Sequence, residues 1–428
     1  MHLFPLLLVT LFRVVITVIA HTPNDNSLDT LFQWNLLDYD FPSSTDRQEA
    51  ISNGNLVPAN GVPIDVAPFY TPHGELKVFT TIPRFDTGVP YSLATVTERR
   101  GNAGPILKPY PSYDWHNSHG TNCDGITSAF RVAITECNQM YVIDSGMIGS
   151  TYHCPPQLLL FDLKTDRLLH RYRFSNDVFT PVASLLITPI VHVRDPPPAG
   201  RCQRSMVYVA DVNFHGIVVY DQEQNTAWRA ENKFMYPDPH HGTHTIAGES
   251  FDLMDGIFGM STDKRYLYFH PLASVSEFAV PLNVLNNWEN WSQGVEAMPQ
   301  AFKQLGNRPS QCAMEAMDSR DNMYCVTFNP IRLISWNVQT PYGQKNFREI
   351  SSNKEQLQFI SGMKVVKNPG HREELWLISN RFQKIATGTQ QPNEINFRIL
   401  RINIDNNLQN GIDVHNTNND LHNRLIFN

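Results

Sequence analysis

Apolar and polar residues follow one plan along this chain, and the plan recurs six times. The fullest copy occupies residues 140–174. There an apolar run, MYVI, breaks at DSG, a second run follows as QLLLFDL, and after the turn KTDR a third run reads LLHRYRF. Short apolar runs separated by turn-forming residues are typical of antiparallel strands. The copy therefore predicts a strand, a loop, a strand, a tight turn and a further strand.

Every copy carries an aromatic residue near the head of its first strand, and these residues are Phe79, Tyr141, Tyr208, Tyr268, Tyr324 and Trp376. The steps between them are 62, 67, 60, 56 and 52 residues. Such a period is too long for a helical solenoid and suits a four-stranded propeller blade with generous loops. An inner strand can be assigned ahead of each copy: VPIDVAPF, GITSAFRVAI, LITPIVHV, DGIFGMS, QCAMEAM and FISGMKVV. We predict an all-β fold, a six-bladed β-propeller with a central channel.

A propeller needs all of its blades to close, so we expect a single domain over residues 31–406 despite the length of 428 residues. The early run LFQWNLLDYDFP is expected to pair with the late strand NFRILRI, because the two ends of a closed propeller often share one blade. Residues 407–428 are rich in Asn and lack apolar periodicity, which predicts a mobile tail.

The first 20 residues are apolar and end in small residues suited to cleavage after Ala20, which predicts a secretory signal peptide. A membrane anchor is the competing interpretation, but Arg13 interrupts the apolar run. We expect a secreted, extracellular protein without stable membrane insertion. The formal charge of −7 argues against nucleic acid as a partner, because that would call for clustered Lys and Arg. Sequence leaves the oligomeric state open.

The six cysteines are compatible with an oxidising compartment, and fifteen complete pairings exist. Cys312 and Cys325 would lie on the two arms of one hairpin. In-register pairing sets Cys325 opposite about Ala316, roughly 13 Å along the strand from Cys312. That separation predicts that these two cysteines are not bonded to each other. Asn290 begins the sequence Asn-Trp-Ser, the one acceptor pattern for N-glycosylation in the chain.

Polar residues recur where the aromatic-headed strands end and where the inner strands begin, and we expect them to line one mouth of the channel. The candidate ligand-binding residues are Arg84, Asp124, Asp144, Asp211, Asn213, Asp255, Thr327, Phe328, Asn329 and Arg381. Such a lining suits a small aromatic amine, with an Asp as counter-ion and Phe328 or Phe258 as stacking face. The alternative is structural, because Asp and Asn are common at strand ends, where they bond nearby backbone N–H groups.

Catalytic and metal-binding signatures are weak. The sequence HHGTH has ligand-like spacing, but Pro239 and Gly242 favour a loop, so we expect surface histidines there and no metal. The nucleophile-elbow, Walker, zincin and C-x-x-C motifs do not occur. No cofactor is predicted. Because propeller enzymes assemble their sites from distant loops, the missing motifs leave catalysis open.

Ordered motifs give the chain a resemblance to the insect yellow and major royal jelly protein family. They include MYVIDSG, CPPQLLLFDLKTDRLLHRYRF, DGIFGMS with LYFHPLAS, LQFISGMKV, SNRFQK with NEINFRI, VFTTIPRFDTGVPYSL and LKPYPSYDW. The resemblance runs from about Trp34 to about Arg401 and implies a secreted six-bladed propeller. One departure is the pair Ser335-Trp336, where many relatives have Cys-Trp, so the family's disulfide pattern is not carried over in that region.

The resemblance also implies a role in melanin and cuticle pigmentation, with a biogenic amine or a dopachrome-like molecule as ligand. No catalytic residue is carried over. In an enzymatic version, a dopachrome tautomerase, Asp144 or Asp211 would remove the ring proton and Arg84 would stabilise the oxyanion. Three different functions are also compatible with the sequence: an amine scavenger, a nutritive or signalling protein without a small ligand, and a calcium-dependent hydrolase using Asp255, Asn213 and Asn329.

Overall fold

The computed structural model describes residues 28–405 and shows six sheets arranged as the blades of a propeller. Each blade has four antiparallel strands, and blade 1 has a short fifth strand. The predicted signal peptide and Asn-rich tail lie outside the described residues, and the limits of the domain, 31 and 406, remain predictions. The strands, from the inner to the outer edge of each blade, are as follows. Blade 1 contains Asp65–Tyr70, Leu76–Thr81, Leu93–Arg100 and Pro105–Pro109; blade 2 Ala129–Ile134, Gln139–Asp144, Gln157–Asp162 and Arg167–Arg173; blade 3 Leu186–Val193, Ser205–Asp211, Gly216–Asp221 and Thr226–Glu231; blade 4 Ile257–Thr262, Tyr266–Pro271, Ser276–Pro281 and Lys303–Asn307; blade 5 Cys312–Met317, Asn322–Phe328, Ile331–Asn337 and Arg348–Ser351; blade 6 Ile360–Lys367, Glu373–Ser379, Phe397–Asn403 and Asp29–Trp34.

All six predicted inner strands are present, and neighbouring inner strands contact each other around the ring, with that of blade 6 against that of blade 1. The six aromatic residues that mark the repeat lie in the second strands, and each is at most 2% exposed. Side chains from adjacent blades cover both faces of these strands, which explains their unbroken apolar runs. The six-bladed prediction is confirmed.

The ring closes as expected, because Asp29–Trp34 pairs antiparallel with Phe397–Asn403 as the outer strand of blade 6. Trp34 is buried, and its indole N–H donates a 2.7 Å hydrogen bond to the Pro105 carbonyl of blade 1. The first and last strands of the domain are thereby held in one sheet and tied to the neighbouring blade.

Shorter elements decorate the blades. A two-residue strand, Asp38–Tyr39, adds in parallel to blade 1, and two hairpins stand apart from the blade sheets. The hairpins are Met147–Ile148 with Thr151–Tyr152, and Thr243–Ile246 with Glu249–Asp252. The α-helices are Ser44–Ser52, Leu282–Leu285 and Phe382–Ala386. Single 3₁₀ turns occupy Pro58–Asn60, Tyr113–Trp115, Lys233–Met235, Pro239–His241, Trp288–Trp291, Pro299–Ala301 and Gln344–Asn346.

All six cysteines are paired: Cys123 with Cys154, Cys137 with Cys202, and Cys312 with Cys325. The prediction that Cys312 and Cys325 are not bonded to each other was wrong. A β-bulge between Cys312 and Glu315 adds one residue to the inner strand, so Cys312 faces Thr327, two residues from Cys325. The Cα atoms of the two cysteines are 6.3 Å apart, within the range that a disulfide spans.

Candidate functional site

A cavity of about 470 Å³ occupies the channel mouth at which the inner strands begin. Inner-strand starts contribute Ile64, Phe130, Ile187, Phe258 and Ser361, and the loops after second strands contribute Phe85, Val212, Leu272 and Asn380. Most of this lining is apolar or aromatic, as in many small-molecule sites. The cavity therefore suits a flat, largely apolar molecule.

Arg131 crosses the channel at this level. Its guanidinium donates hydrogen bonds to the Ser361 carbonyl of blade 6, at 3.0 and 3.3 Å, and to the Thr188 hydroxyl of blade 3, at 3.4 Å. It also lies 4.7 Å from the ring centre of Phe258 on blade 4, in a cation–π contact. Burial lowers the pKa of Arg131 to about 10, which leaves it charged at neutral pH. The cavity thus has a cationic wall that connects four blades.

Asp255 places a carboxylate in the same cavity. Burial raises its pKa to about 6, although the positive charge of Arg131 acts in the opposite direction. Within residues 28–405, its carboxylate oxygens have no hydrogen-bond or ion-pair partner. A half-buried carboxylate with a raised pKa and without a partner in a cavity is a strong candidate for contact with a ligand.

Of the ten candidate ligand-binding residues from the sequence, Asp255 lines the cavity, and so does Phe258, one of the two expected stacking faces. The ring of Phe328, the other, is buried behind the lining and stacks on Phe359 with ring centres 5.3 Å apart. Phe359 in turn lines the cavity.

The two carboxylates proposed as catalytic bases have other partners. Asp144 accepts hydrogen bonds from the backbone N–H groups of Thr127, at 2.9 Å, and Ser128, at 2.6 Å, and is fully buried. Asp211 accepts one from Leu185 N–H at 2.8 Å and forms a 2.8 Å ion pair with Arg229. Both contact sets connect a strand end to a neighbouring loop, as the structural alternative expects.

Arg84, the proposed oxyanion donor, is buried, and its guanidinium donates to the carbonyls of Val89, Pro90 and Thr127. Burial lowers its pKa to about 9. Arg381 precedes the helix Phe382–Ala386 and forms a 3.0 Å ion pair with Glu394. Neither side chain lines the cavity.

The remaining candidates lie around the mouth or at the edge of a blade. The carboxylate of Asp124 is 75% exposed and forms ion pairs with Arg171 and Arg173 of an outer strand. Asn213 and Asn329 are exposed in loops, and the Thr327 hydroxyl donates to the Pro330 carbonyl at 2.7 Å. The oxygen atoms suggested for a calcium site therefore do not converge on Asp255.

Arg131 and most of the apolar lining were not predicted from the sequence, because the predicted set consists mainly of polar residues at strand ends, many of them at the fourth and sixth places of the repeat. Val212, Leu272 and Asn380 occupy the fifth place and line the cavity, whereas Phe328, at the same place in blade 5, does not. Side chains alternate along a strand, so the fourth and sixth places share the opposite orientation.

A second group of ionisable residues is buried between blades 4 and 5. His270 Nδ1 lies 3.1 Å from Glu277 and 3.0 Å from Glu315, and Arg308 also contacts Glu277. His270 Nε2 faces the Cys312 carbonyl at 3.1 Å, so both ring nitrogens face acceptors. Burial and Arg308 act to lower the pKa of His270, but the two carboxylates outweigh them and raise it.

Two basic and two acidic side chains meet in this group, and burial together with Glu315 raises the pKa of Glu277 to about 7. The ligand atoms of His270, Glu277 and Glu315 all lie within 4.8 Å of one another, close enough to hold a metal. An imidazolium bridging the carboxylates accounts for the geometry and neutralises the buried charge without an ion. The histidines of the HHGTH sequence do not converge. His240 and His241 both contact Asp238. The prediction of surface histidines was wrong for His244, which is fully buried in a strand of the hairpin with its ring facing the Leu253 carbonyl.

Within residues 28–405, no helix is long and apolar enough to cross a membrane. Asn290 lies in the 3₁₀ turn Trp288–Trp291 and donates from its side-chain amide to the Val284 carbonyl at 3.0 Å.

The family model described as major royal jelly protein matches residues 127–412. The dopaminechrome tautomerase of Drosophila melanogaster is 30% identical over 405 residues, which cover 91% of this chain and 84% of the relative. Major royal jelly protein 9 of Apis mellifera is 33% identical over 411 residues, 92% of each chain. A virginiamycin B lyase structure from Staphylococcus aureus matches with a TM-score of 0.40 and 10% identity, covering 82% of this chain and 98% of that one. The family model and the two insect relatives establish that this chain belongs to the major royal jelly protein family.

Proposed function

We propose that this protein is a secreted, yellow-like member of its family that binds a small catechol or indole amine in the mouth cavity and acts in the melanin and cuticle pathway. The observation that carries the proposal is Asp255, an unpartnered carboxylate inside a cavity of aromatic and aliphatic side chains. A ligand ammonium would neutralise this carboxylate, and the ligand ring would occupy the apolar space beside Phe258.

The cavity volume supports a ligand of this size. About 470 Å³ lies in the lower part of the range of drug-sized pockets, which suits a bicyclic amine rather than a peptide or an oligosaccharide. Three disulfides support secretion, because disulfides persist in oxidising compartments. A glycan on Asn290 belongs to the same proposal.

Calorimetric titration with serotonin and dopamine tests the binding. The variant Asp255→Asn keeps the size of the side chain and removes its charge, and should weaken amine binding by about 10- to 100-fold, as expected for a charge-assisted hydrogen bond. Asp86→Asn is the matched control, because Asp86 is an exposed carboxylate at the rim of the same cavity. The control should change affinity less than about twofold. Equal affinity of wild type and Asp255→Asn would overturn the proposal.

A second candidate function is tautomerisation of an aminochrome, and two observations favour it. A carboxylate with a pKa of about 6 can accept a proton near neutral pH, and Arg131 supplies a fixed positive charge in the same cavity. One relative is named a dopaminechrome tautomerase. In this version Asp255 removes a proton from one CH2 carbon of the indoline quinone, and a quinone oxygen takes up a proton from solvent beside Arg131. A second shift of the same kind, from the adjacent CH2 carbon to the other quinone oxygen, completes the aromatic dihydroxyindole.

This assignment replaces Asp144, Asp211 and Arg84 with Asp255 and Arg131 in the proposed catalytic roles. The absorbance of dopaminechrome, followed with time, tests it. Asp255→Asn should lower kcat by about 100-fold or more, because general base catalysis contributes about that much. Aminochrome binding without turnover by wild type would leave the binding function and remove the catalytic one.

A further inference from the structure

One side of the mouth cavity is closed by a cover that belongs to no blade. It consists of the hairpin Thr243–Ile246 with Glu249–Asp252 and of the helix Phe382–Ala386. Leu253, at the end of the hairpin, and Phe382 and Ile385, on the helix, all line the cavity. These apolar side chains would touch a bound ligand.

Glu249 joins the two parts of the cover. One carboxylate oxygen forms a 3.0 Å ion pair with Lys384, and the other accepts hydrogen bonds from the hydroxyls of Thr387, at 2.7 Å, and Thr389. These hydroxyl donors, Thr389 foremost, with Lys384 lower the pKa of Glu249 to about 2. The carboxylate therefore stays ionised throughout the physiological pH range, and the contact does not depend on pH there.

The inner face of the hairpin packs on the propeller: His244 and Ile246 are fully buried, and the His244 ring meets Phe328 edge-on with ring centres 5.6 Å apart. The ring of Phe251 packs edge-on against Phe382 with ring centres 5.7 Å apart. At the base, the side-chain amide of Gln311 donates to the carbonyls of His241, at 3.1 Å, and Thr243, at 3.0 Å. An isolated two-stranded hairpin is marginally stable, so its position depends on such contacts. Covers of ligand sites belong to the least stable parts of a fold, where local opening costs little.

We propose that this hairpin is a lid over the mouth cavity, and that Glu249 is the latch whose release lets ligands enter and leave. The inference rests on the proposed function for its ligand, but the latch itself is a property of the ligand-free protein. Opening separates Glu249 from the helix and withdraws Leu253 from the cavity. The latch sets the rates of binding more than the affinity, because it contacts the helix and not the ligand.

Hydrogen exchange of the ligand-free protein tests the latch. In Glu249→Gln, peptides covering residues 243–252 and 382–389 should exchange about tenfold faster, while peptides from blade 2 stay unchanged. Asp252→Asn is the matched control, because Asp252 lies on the same strand and bonds the Thr243 hydroxyl within the hairpin. Unchanged exchange in Glu249→Gln would overturn the latch.

Stopped-flow binding of serotonin tests the lid. Glu249→Gln should raise the association and dissociation rate constants together, by about fivefold, with less than a twofold change in Kd. Faster exchange with unchanged rate constants would show that the hairpin opens without controlling entry, and would overturn the lid. If wild type binds no amine at all, the proposed function and the lid both fail, and the exchange experiment still decides the latch.

Discussion

Asp255 has a high energetic cost in the folded protein. Its carboxylate is half-buried, it is ionised at neutral pH, and no hydrogen-bond donor within residues 28–405 contacts it, although solvent and the charge of Arg131 compensate it in part. Asp144 and Asp211 are also buried, but backbone N–H groups satisfy both. The sequence identified all three as equivalent channel residues. Only the folded structure shows that Asp144 and Asp211 stabilise strand ends, whereas Asp255 lowers the free energy of unfolding.

Replacing Asp255 with Asn should therefore stabilise the protein at neutral pH. A folded pKa of about 6, against about 4 for an unfolded Asp, means that the folded state holds this proton more tightly. Stability is then lost as the pH rises from about 4 to 6 and stays lower above that. We expect Asp255→Asn to gain about 1–2 kcal/mol in urea unfolding at pH 7.5, after allowance for partial solvent screening. The gain should vanish at pH 4, and a loss of stability at pH 7.5 would contradict this account.

Amine binding should depend on the same titration. Below pH 6 Asp255 takes up its proton and loses the charge that attracts an ammonium. Serotonin keeps its ammonium throughout this range, so the change comes from the protein. We expect affinity to fall by about tenfold for each pH unit below 6, measured by calorimetry from pH 7.5 to pH 5. A flat profile would remove Asp255 as the counter-ion.

At the scale of an element, successive side chains of a strand point in opposite directions, and this decides which residues of each repeat can face the channel. The places of the repeat could be aligned from the sequence because each blade begins its second strand with an aromatic residue. The places of the repeat that line the cavity could not be predicted in the same way, because the loops that follow the second strands differ in length. The inner strands of blades 2 to 6 each contain a bulge near their start, and the bulge in blade 5 changes the register and brings Cys312 within reach of Cys325.

The interface of blades 4 and 5 depends on the charge balance around His270. Removing the imidazolium in His270→Ala leaves Glu277 and Glu315 buried with Arg308 as their one cation in this group. We expect a loss of about 3–5 kcal/mol in urea unfolding at pH 7.5, as for other broken buried ion pairs. The loss should be smaller at pH 5, where a proton can replace the missing charge on the carboxylates. His241→Ala, which alters a partly exposed contact with Asp238, is the control and should change stability by less than about 0.5 kcal/mol.

For the whole molecule, the sequence was enough to predict six blades and the shared closing sheet, because the repeat period and the apolar runs are consequences of packing blade against blade. The site was less predictable, because Arg131 and Asp255 lie 124 residues apart and meet only when the ring is closed. The closing strand therefore stabilises the fold and the cavity together.

Trp34 tests this closure. Its side chain is 1% exposed and bridges the outer strand of blade 6 to blade 1. Trp34→Ala should cost about 3–5 kcal/mol, as expected for a buried aromatic side chain, and should weaken amine binding at temperatures where the ring begins to open. Phe32→Ala, on the same strand but half-buried, is the matched variant and should cost about 1 kcal/mol. Equal losses in the two variants would show that the indole has no special role in closure.

A crystal structure of the protein with serotonin tests the central claim most directly. We predict that the ligand occupies the mouth cavity, with its ammonium within hydrogen-bonding distance of Asp255 and its indole beside Phe258. Serotonin bound elsewhere on the propeller, or in the cavity with its ammonium turned away from Asp255, would contradict the account.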